Sequence, residues 1–68
     1  MKLTNRLKVL RAERSLTQAD LATAVQVSRK TINTIERGIF VPSTVLSLKL
    51  ACYFNVPVED IFALHAED

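Results

Sequence analysis

Apolar residues recur near the start of the chain at the spacing of three and four residues that places side chains on one face of an α-helix. Three leucines follow this spacing, namely Leu3, Leu7 and Leu10. They predict a first helix from about Thr4 or Asn5 to Arg14, with basic side chains between the leucines. Ser15 and Leu16 are predicted to end this helix.

Two further short helices are marked by hydroxyl residues, which can accept hydrogen bonds from the free amides at a helix start. Thr17 is predicted to cap a second helix, and Ser28 is predicted to cap a third helix from Arg29 to Arg37. Gly38 suits the left-handed conformation that commonly ends a helix. The apolar side chains of this segment form a predicted seam of Leu21, Val25, Val27, Ile32 and Ile35.

The second half of the chain predicts a fourth helix and a short closing element. Ser43 is the predicted cap of a helix over about residues 44–54, and a proline-containing segment breaks that helix. A fifth short helix is predicted near residues 58–62, because proline and acidic residues are favoured at a helix start. In an alternative interpretation, residues 61–64 are extended and pair with residues 1–3 in a small two-stranded sheet.

The composition agrees with one all-α domain over residues 1–68 and argues against several other classes. The chain has 68 residues, of which 49% are apolar, so a single ordered domain is expected. One glycine and two prolines are too few for a turn-rich sandwich or barrel. With one cysteine and one histidine, neither a disulfide framework nor a four-ligand zinc site can form within the chain, and we expect no metal and no cofactor. No signal peptide or membrane span is recognisable, and a reducing, cytoplasmic setting is expected.

Charge is distributed unevenly along the chain. The net charge is only +2, but residues 1–38 hold eight basic and three acidic residues, whereas residues 39–68 hold one basic and four acidic residues. The two parts therefore carry +5 and −3. A basic part can face a polyanion while an acidic part faces away. An ordinary solvated surface with uneven charge would give the same numbers.

The segment over about residues 18–37 has the plan of a helix-turn-helix, in which a tight turn joins two short helices. The small side chain of Ala22 allows the helices to cross closely, and the seam behind the crossing turns the other face of the third helix outward. Such a helix fits the major groove of B-DNA, and its N-terminal residues contact base edges. The predicted base readers are Arg29, Lys30 and Asn33, with Thr34 as a shorter contact. The side chains better placed for phosphates are Gln18, Ser28, Thr31 and Arg37.

The pattern TQADLA, five residues, SRKTINTIERG, three residues and PS resembles the Cro/repressor (XRE-type) helix-turn-helix family. The resemblance extends over about residues 7–62, and it is strongest to short stand-alone homodimeric repressors of the cytolysin repressor type. It implies a five-helix domain that binds operator DNA in the cytoplasm. It also implies that Gln18 and the outer face of residues 29–34 touch DNA.

The resemblance carries two further implications for single residues. An arginine in the first helix of the family often pairs with the glutamate of the IERG-like segment, which assigns structural roles to Arg11 and Glu36 here. The family often has glycine in the turn, where this sequence has Gln26. A glutamine at positive φ would cost about 1 kcal/mol.

The fourth helix is apolar on nearly all sides, which is typical of a helix that is buried on more than one side. A monomer of 68 residues can hardly cover such a helix, and so small a core often needs support from a partner. We therefore expect a homodimer, the alternative being that the core of one chain uses the whole helix. The predicted dimer interface comprises Leu46, Leu50, Tyr53, Ile61, Phe62 and Leu64.

Together these features predict a transcriptional regulator, more specifically a repressor that occupies an inverted-repeat operator in double-stranded DNA as a homodimer. An unidentified regulatory protein could supply its signal, since no ligand pocket is recognisable. A second class is a protein-interaction module, such as an antitoxin or anti-repressor component, which would bring a stoichiometric protein partner. An enzyme is not expected, because paired carboxylates in a cleft, a metal cluster and a phosphate-binding loop are all lacking. No membrane partner is expected.

Overall fold

The computed structural model describes residues 1–66, and within them four α-helices lie between two terminal strands. The order along the chain is β1 (Lys2–Asn5), α1 (Leu7–Glu13), α2 (Gln18–Val25), α3 (Arg29–Glu36), α4 (Thr44–Phe54), a single 3₁₀ turn (Val58–Asp60) and β2 (Phe62–His65). The last two residues of the predicted domain, Glu67 and Asp68, lie outside the described residues.

The two strands confirm the alternative of a terminal sheet and correct two helix predictions. The strands pair antiparallel, with Lys2 opposite His65 and Asn5 opposite Phe62. The predicted fifth helix is wrong, because the residues after its first turn are extended and pair with β1. The first helix begins at Leu7 and not at Thr4 or Asn5, because those two residues belong to the sheet.

Hydroxyl side chains start three of the helices, as predicted. The Thr17 hydroxyl accepts a hydrogen bond from the Asp20 N–H, and the Asp20 carboxylate accepts one from the Thr17 N–H, each at 3.0 Å. The Ser28 and Ser43 hydroxyls each accept from the backbone N–H three residues later, at 3.1 Å. The hydrogen bonds from Thr17, led by that of its backbone N–H, lower the pKa of Asp20 below its usual value. The helix starts are therefore fixed by local contacts.

Left-handed residues end the helices. Gln26 follows α2 at φ 63°, and Asn55 follows α4 at φ 56°. Gly38, which comes shortly after α3, has φ 75° and adopts the left-handed conformation predicted for it. Gln26 thus occupies the turn position in the strained conformation that a glycine would adopt freely. Its side-chain Oε1 accepts a hydrogen bond from Lys49 Nζ at 3.3 Å.

One apolar core unites the helices and the residue that precedes β2. It contains Leu7, Leu21, Ala22, Val25, Ile32, Ile35, Leu46, Leu50, Ala51, Phe54 and Ile61. Four of the five seam residues predicted between α2 and α3 are in this list, and the fifth, Val27, is half-buried against it. The seam fixes α3 against α2 from one side, so the other side of α3 faces outward.

Three of the six residues predicted at a dimer interface lie in this core instead. Leu46, Leu50 and Ile61 are at most 7% exposed, so their side chains pack inside one chain and are not available to a second copy. The helix to which the first two belong is apolar all round, and its sequence periodicity therefore could not indicate which stripe faces its own core. Of the remaining three, Phe62 is half-buried, and Tyr53 and Leu64 are exposed.

Candidate nucleic-acid interface

A turn of three residues, Gln26 to Ser28, sets the angle between α2 and α3. After the left-handed Gln26, the N–H of Val27 donates to the carbonyl of Ala22 at 3.0 Å, and Ser28 then caps α3. Ile32 and Ile35 anchor α3 in the core. The helix therefore projects its opposite face from a firmly packed base, and this face contains most of the predicted DNA-binding residues.

Three cationic side chains on or next to α3 are exposed, namely Arg29, Lys30 and Arg37. Within residues 1–66, none of these three side chains takes part in a hydrogen bond or an ion pair. The basic groups are thus free to donate hydrogen bonds to an anionic or acceptor-rich ligand. Arginine can meet a guanine edge or a phosphate with two parallel hydrogen bonds, while lysine acts as a point charge.

The hydroxyl side chains of α3 are partly used within the helix. The Ser28 and Thr31 oxygens lie 2.9 Å apart, so one hydroxyl donates to the other and a single hydroxyl hydrogen of the pair stays available. The Thr34 hydroxyl lies 3.0 and 3.1 Å from the carbonyl oxygens of Lys30 and Thr31, to which it donates. Thr34 therefore offers a methyl group and an acceptor oxygen, whereas one hydroxyl of the Ser28–Thr31 pair can still donate to a phosphate oxygen.

A polar network ties α3 to α1. Arg11 Nε donates to Glu36 Oε2 at 2.8 Å, and Arg11 Nη2 donates to Glu36 Oε1 at 3.3 Å. Arg11 Nη1 also donates to the carbonyl of Leu16 at 2.6 Å. The hydrogen bonds to Glu36 raise the pKa of the Arg11 guanidinium above its usual value. The side chains of Arg11 and Glu36 are only 16% and 4% exposed, so both groups are mostly shielded from water.

Two amide side chains extend this network toward the outer face of α3. Gln18 Nε2 donates to Glu36 Oε1 at 3.1 Å, and Asn33 Nδ2 donates to Gln18 Oε1 at 3.4 Å. Gln18 and Asn33 are both predicted contact residues, and the structure brings them together although they lie on different helices. Sequence reasoning missed this link, because no spacing rule relates an amide at the start of one helix to an amide in the middle of the next.

A further contact that sequence reasoning missed joins the first strand to α3. Asn5 Nδ2 donates to the carbonyl of Ile35 at 2.9 Å, and Asn5 Oδ1 accepts from the N–H of Leu7 at 3.1 Å. Asn5, which precedes the N-cap residue Arg6, thus binds the first amide of α1 and fastens the C-terminal part of α3 with one side chain. The only local signal is an asparagine next to a helix start, which is typical of a cap.

Two other features, a metal site and a membrane-spanning helix, are absent from residues 1–66. Among residues 1–66, no three potential metal ligands lie close enough to hold an ion. None of the four helices is long and apolar enough to cross a bilayer, again for the part of the chain that the structure describes.

Known proteins similar to this chain share its helix-turn-helix. The sequence profile described as helix-turn-helix matches residues 7–61. An HTH-type transcriptional regulator of Methanocaldococcus jannaschii is 50% identical over 60 residues, which cover 88% of this chain and 91% of that protein. The HTH-type transcriptional regulator YgzD of Bacillus subtilis is 39% identical over 66 residues, or 97% of this chain and 100% of YgzD. Among solved structures, the restriction-modification controller protein C.AhdI from Aeromonas hydrophila has a TM-score of 0.73 at 31% identity, covering 79% of this chain and 82% of that one.

Proposed function

This chain belongs to the Cro/repressor (XRE-type) helix-turn-helix family, and from that premise we propose that it is a transcriptional repressor that binds an inverted-repeat operator as a homodimer. Its relatives are HTH-type transcriptional regulators, and this membership supports DNA-binding regulation of transcription and not an enzymatic reaction. A cytoplasmic location belongs to the same proposal.

The proposal rests on the outer face of α3, where cationic side chains that make no ion pair with residues 1–66 lie on a helix whose other side is packed in the core. Arg29 and Lys30 occupy the N-terminal end, which enters the major groove most deeply in helix-turn-helix proteins. Each can donate to the O6 and N7 acceptors of guanine, and Asn33 can pair with adenine. The methyl group of Thr34 suits the methyl group of a thymine.

The outer face of α3, with Arg29, Lys30, Asn33 and Thr34, is called the reading face. Phosphate contacts are assigned to the residues around it. Gln18 at the start of α2, together with Ser28 and Thr31 at the start of α3, places donors beside helix N-termini, which favour anions. Arg37 adds a cation at the other end of α3. These contacts would fix the orientation of the domain on the duplex, and they carry no sequence information themselves.

The homodimer is supported by apolar surface that one chain leaves uncovered. On α4, Val45, Leu48 and Tyr53 are 65%, 56% and 37% exposed, and Leu64 of β2 is 60% exposed. Val45 and Leu48 are three residues apart and therefore lie on one side of α4, and Tyr53, eight residues after Val45, lies at the flank of that side. Leu48 is the central candidate for contact with a second copy, and the predicted residues Tyr53, Phe62 and Leu64 are further candidates.

Selection from a pool of random duplexes, followed by sequencing, tests DNA binding and symmetry together. We expect an enriched inverted repeat whose half-sites lie about 34 Å apart, which is one turn of B-DNA. The affinity for the enriched duplex should fall steeply with salt, because phosphate neutralisation releases counterions. A pool with no enriched sequence, or an enriched sequence without two-fold symmetry, would contradict the proposal.

Sedimentation at micromolar concentration tests the homodimer separately. We expect twice the chain mass of 7.6 kDa for the natural sequence, and a shift toward the monomer for Leu48→Glu. Ala12→Glu is the matched control, since it adds the same charge at an exposed position on α1, away from α4. A species of 7.6 kDa alone would remove the homodimer. The apolar side of α4 would then be assigned to a different protein, such as a regulatory partner.

A further inference from the structure

A carboxylate and two amides form an unbroken hydrogen-bonded row beneath the reading face, which we call the amide row: Glu36, Gln18 and Asn33. Glu36 is the buried end of the row, and its carboxylate also accepts two hydrogen bonds from Arg11. Asn33 is the outer end, half-buried on α3. The row thus runs from a shielded ion pair to a side chain that the proposed function places against DNA.

The direction of the hydrogen bonds in the amide row is imposed by Glu36. An ionised carboxylate can only accept, so the amide nitrogen of Gln18 must face it. The carbonyl oxygen of Gln18 then faces Asn33, and the amide nitrogen of Asn33 must face Gln18. Turning either amide over would place two acceptors or two donors against each other, which leaves polar groups unpaired at considerable cost.

The amide row leaves one edge of the Asn33 side-chain amide free to contact a base. Only one N–H of Asn33 is given to Gln18, and within residues 1–66 its Oδ1 and its other N–H are unused. The major-groove edge of adenine offers one acceptor, N7, and one donor, N6, so it pairs with an amide that presents both groups. We propose that Glu36, acting through Gln18, orients the amide of Asn33 and so sets a preference for adenine at the base pair that Asn33 meets. This inference rests on the proposed function, and Glu36 acts in it as a positioning residue.

The substitution Glu36→Gln tests the inference because it can reverse the row. The guanidinium of Arg11 has donors only, and the shorter of its two hydrogen bonds to Glu36, from Nε at 2.8 Å, goes to Oε2. The oxygen of the introduced amide is therefore expected at that position, and the new NH₂ group faces Gln18 in place of Oε1, at the cost of the 3.3 Å bond from Arg11 Nη2. The amide of Gln18 must then turn over, and its nitrogen faces the oxygen of Asn33. Asn33 would then have both N–H groups free, and its remaining acceptor would change places with the donor along the edge that faces DNA. That edge no longer matches N7 and N6 of adenine, while the two N–H groups can donate to the two acceptors of guanine.

The measurement is the base preference at every position of the operator, from selection and from competition binding with single-base variants of the enriched duplex. For Glu36→Gln we expect the ratio of adenine to guanine binding to fall about tenfold at one position of each half-site, because one bidentate pair is lost. We expect the preferences at the positions read by Arg29 and Lys30 to stay unchanged. A merely structural role of Glu36 would weaken all positions together.

Two further variants separate an effect on base preference from an effect on the stability of the fold. Arg11→Lys weakens the ion pair but leaves the Glu36 carboxylate in place, so we expect a lower melting temperature with unchanged base preferences. Gln18→Met removes the middle of the row and keeps the ion pair, so we expect the adenine preference to relax without a shift to guanine. Gln18→Met also decides the question if Glu36→Gln does not fold.

The outcomes separate this inference from the proposed function. If the natural sequence selects no DNA sequence, the proposed function fails. If it selects an operator that has no adenine preference assignable to Asn33, or if Glu36→Gln and Gln18→Met both leave every preference unchanged or scale all positions equally, the amide row does not orient Asn33 and the inference is overturned while the proposed function stands.

Discussion

The ion pair between Arg11 and Glu36 makes a sharp stability experiment possible. Arg11→Met keeps the length and the apolar stem of the side chain but removes every donor. The Glu36 carboxylate, 4% exposed, then retains only the hydrogen bond from Gln18, and the carbonyl of Leu16 loses its contact with Arg11. The variant therefore leaves a charge in a position where water hardly reaches it.

The size of the effect follows from burial. Removing one partner of a buried ion pair costs about 3–5 kcal/mol, because the remaining charge is uncompensated. Arg11 is 16% exposed, so water can replace part of the lost contact, and we expect about 2–4 kcal/mol. At about 0.05–0.15 kcal/mol per residue, a chain of 68 residues is stable by about 3–10 kcal/mol. Arg11→Met should therefore remove a large fraction of the free energy of unfolding.

Urea unfolding followed by circular dichroism measures this loss, with two companion variants. Glu36→Met should cost less, since the remaining Arg11 cation can reach water and still donates to Leu16. The double variant Arg11→Met with Glu36→Met leaves no buried charge, and replacing such a pair by apolar residues is often close to neutral. We expect the double variant to be more stable than Arg11→Met alone.

Two results would refute this reasoning. One is an Arg11→Met variant within about 0.5 kcal/mol of the natural sequence, which is the range of an ordinary surface change. The other is a double variant whose destabilisation equals the sum of the two single effects, because additive effects belong to groups that do not interact.

Three other outcomes are expected. Arg29→Ala should weaken operator binding by about 1–3 kcal/mol and relax the preference at one base position. Arg6→Ala, which changes an exposed arginine outside α3, should leave the base preference unchanged. Identical base preferences of the two variants in competition binding would contradict the assignment of Arg29 as a base reader. Because the pKa of Asp20 is lowered in the folded chain, its capping contribution is complete above the unfolded pKa and is lost as the pH falls through the folded pKa. The melting temperature should then drop more on acidification for the natural sequence than for Asp20→Asn, and parallel drops would exclude this linkage. Gln26→Gly should be about 1 kcal/mol more stable than Gln26→Ala by thermal unfolding, since both remove the contact with Lys49 and only glycine relieves the positive φ; equal stabilities would mean that the turn carries no strain.

The helices were predictable where their signals are local. Thr17, Ser28 and Ser43 each accept from an amide three residues away, and a sequence displays such a cap directly. The terminal sheet is different, because Lys2 pairs with a residue 63 positions later, and no local sequence pattern indicates that pairing. The segment after Pro57 has the residues of a helix start, yet after one turn its chain is extended and pairs with β1, so a distant partner and not the local signal decides its conformation.

The outward face of α3 could be predicted from the sequence, but the hydrogen-bonded network behind it could not. The outward positions of α3 follow from helical spacing once Ile32 and Ile35 are assigned to the core. The row that connects Gln18 to Asn33 depends on the angle between two helices, which spacing within either helix does not determine. The apolar surface of α4 was likewise hidden, because Val45 and Leu48 cannot be told from Leu46 and Leu50 in a helix that is apolar on every side.

The reading face consequently holds two kinds of position with different freedom to change. The charged groups of Arg29 and Lys30 make no hydrogen bond or ion pair with residues 1–66, so replacing them would alter the DNA target at little expense to folding. Asn33 is hydrogen-bonded to Gln18, and any substitute that cannot donate would leave the side-chain carbonyl oxygen of Gln18 without this donor, next to the ion pair of Arg11 and Glu36. New operator specificities should therefore arise first through residues 29 and 30, whereas a change at residue 33 would require a matching change at residue 18.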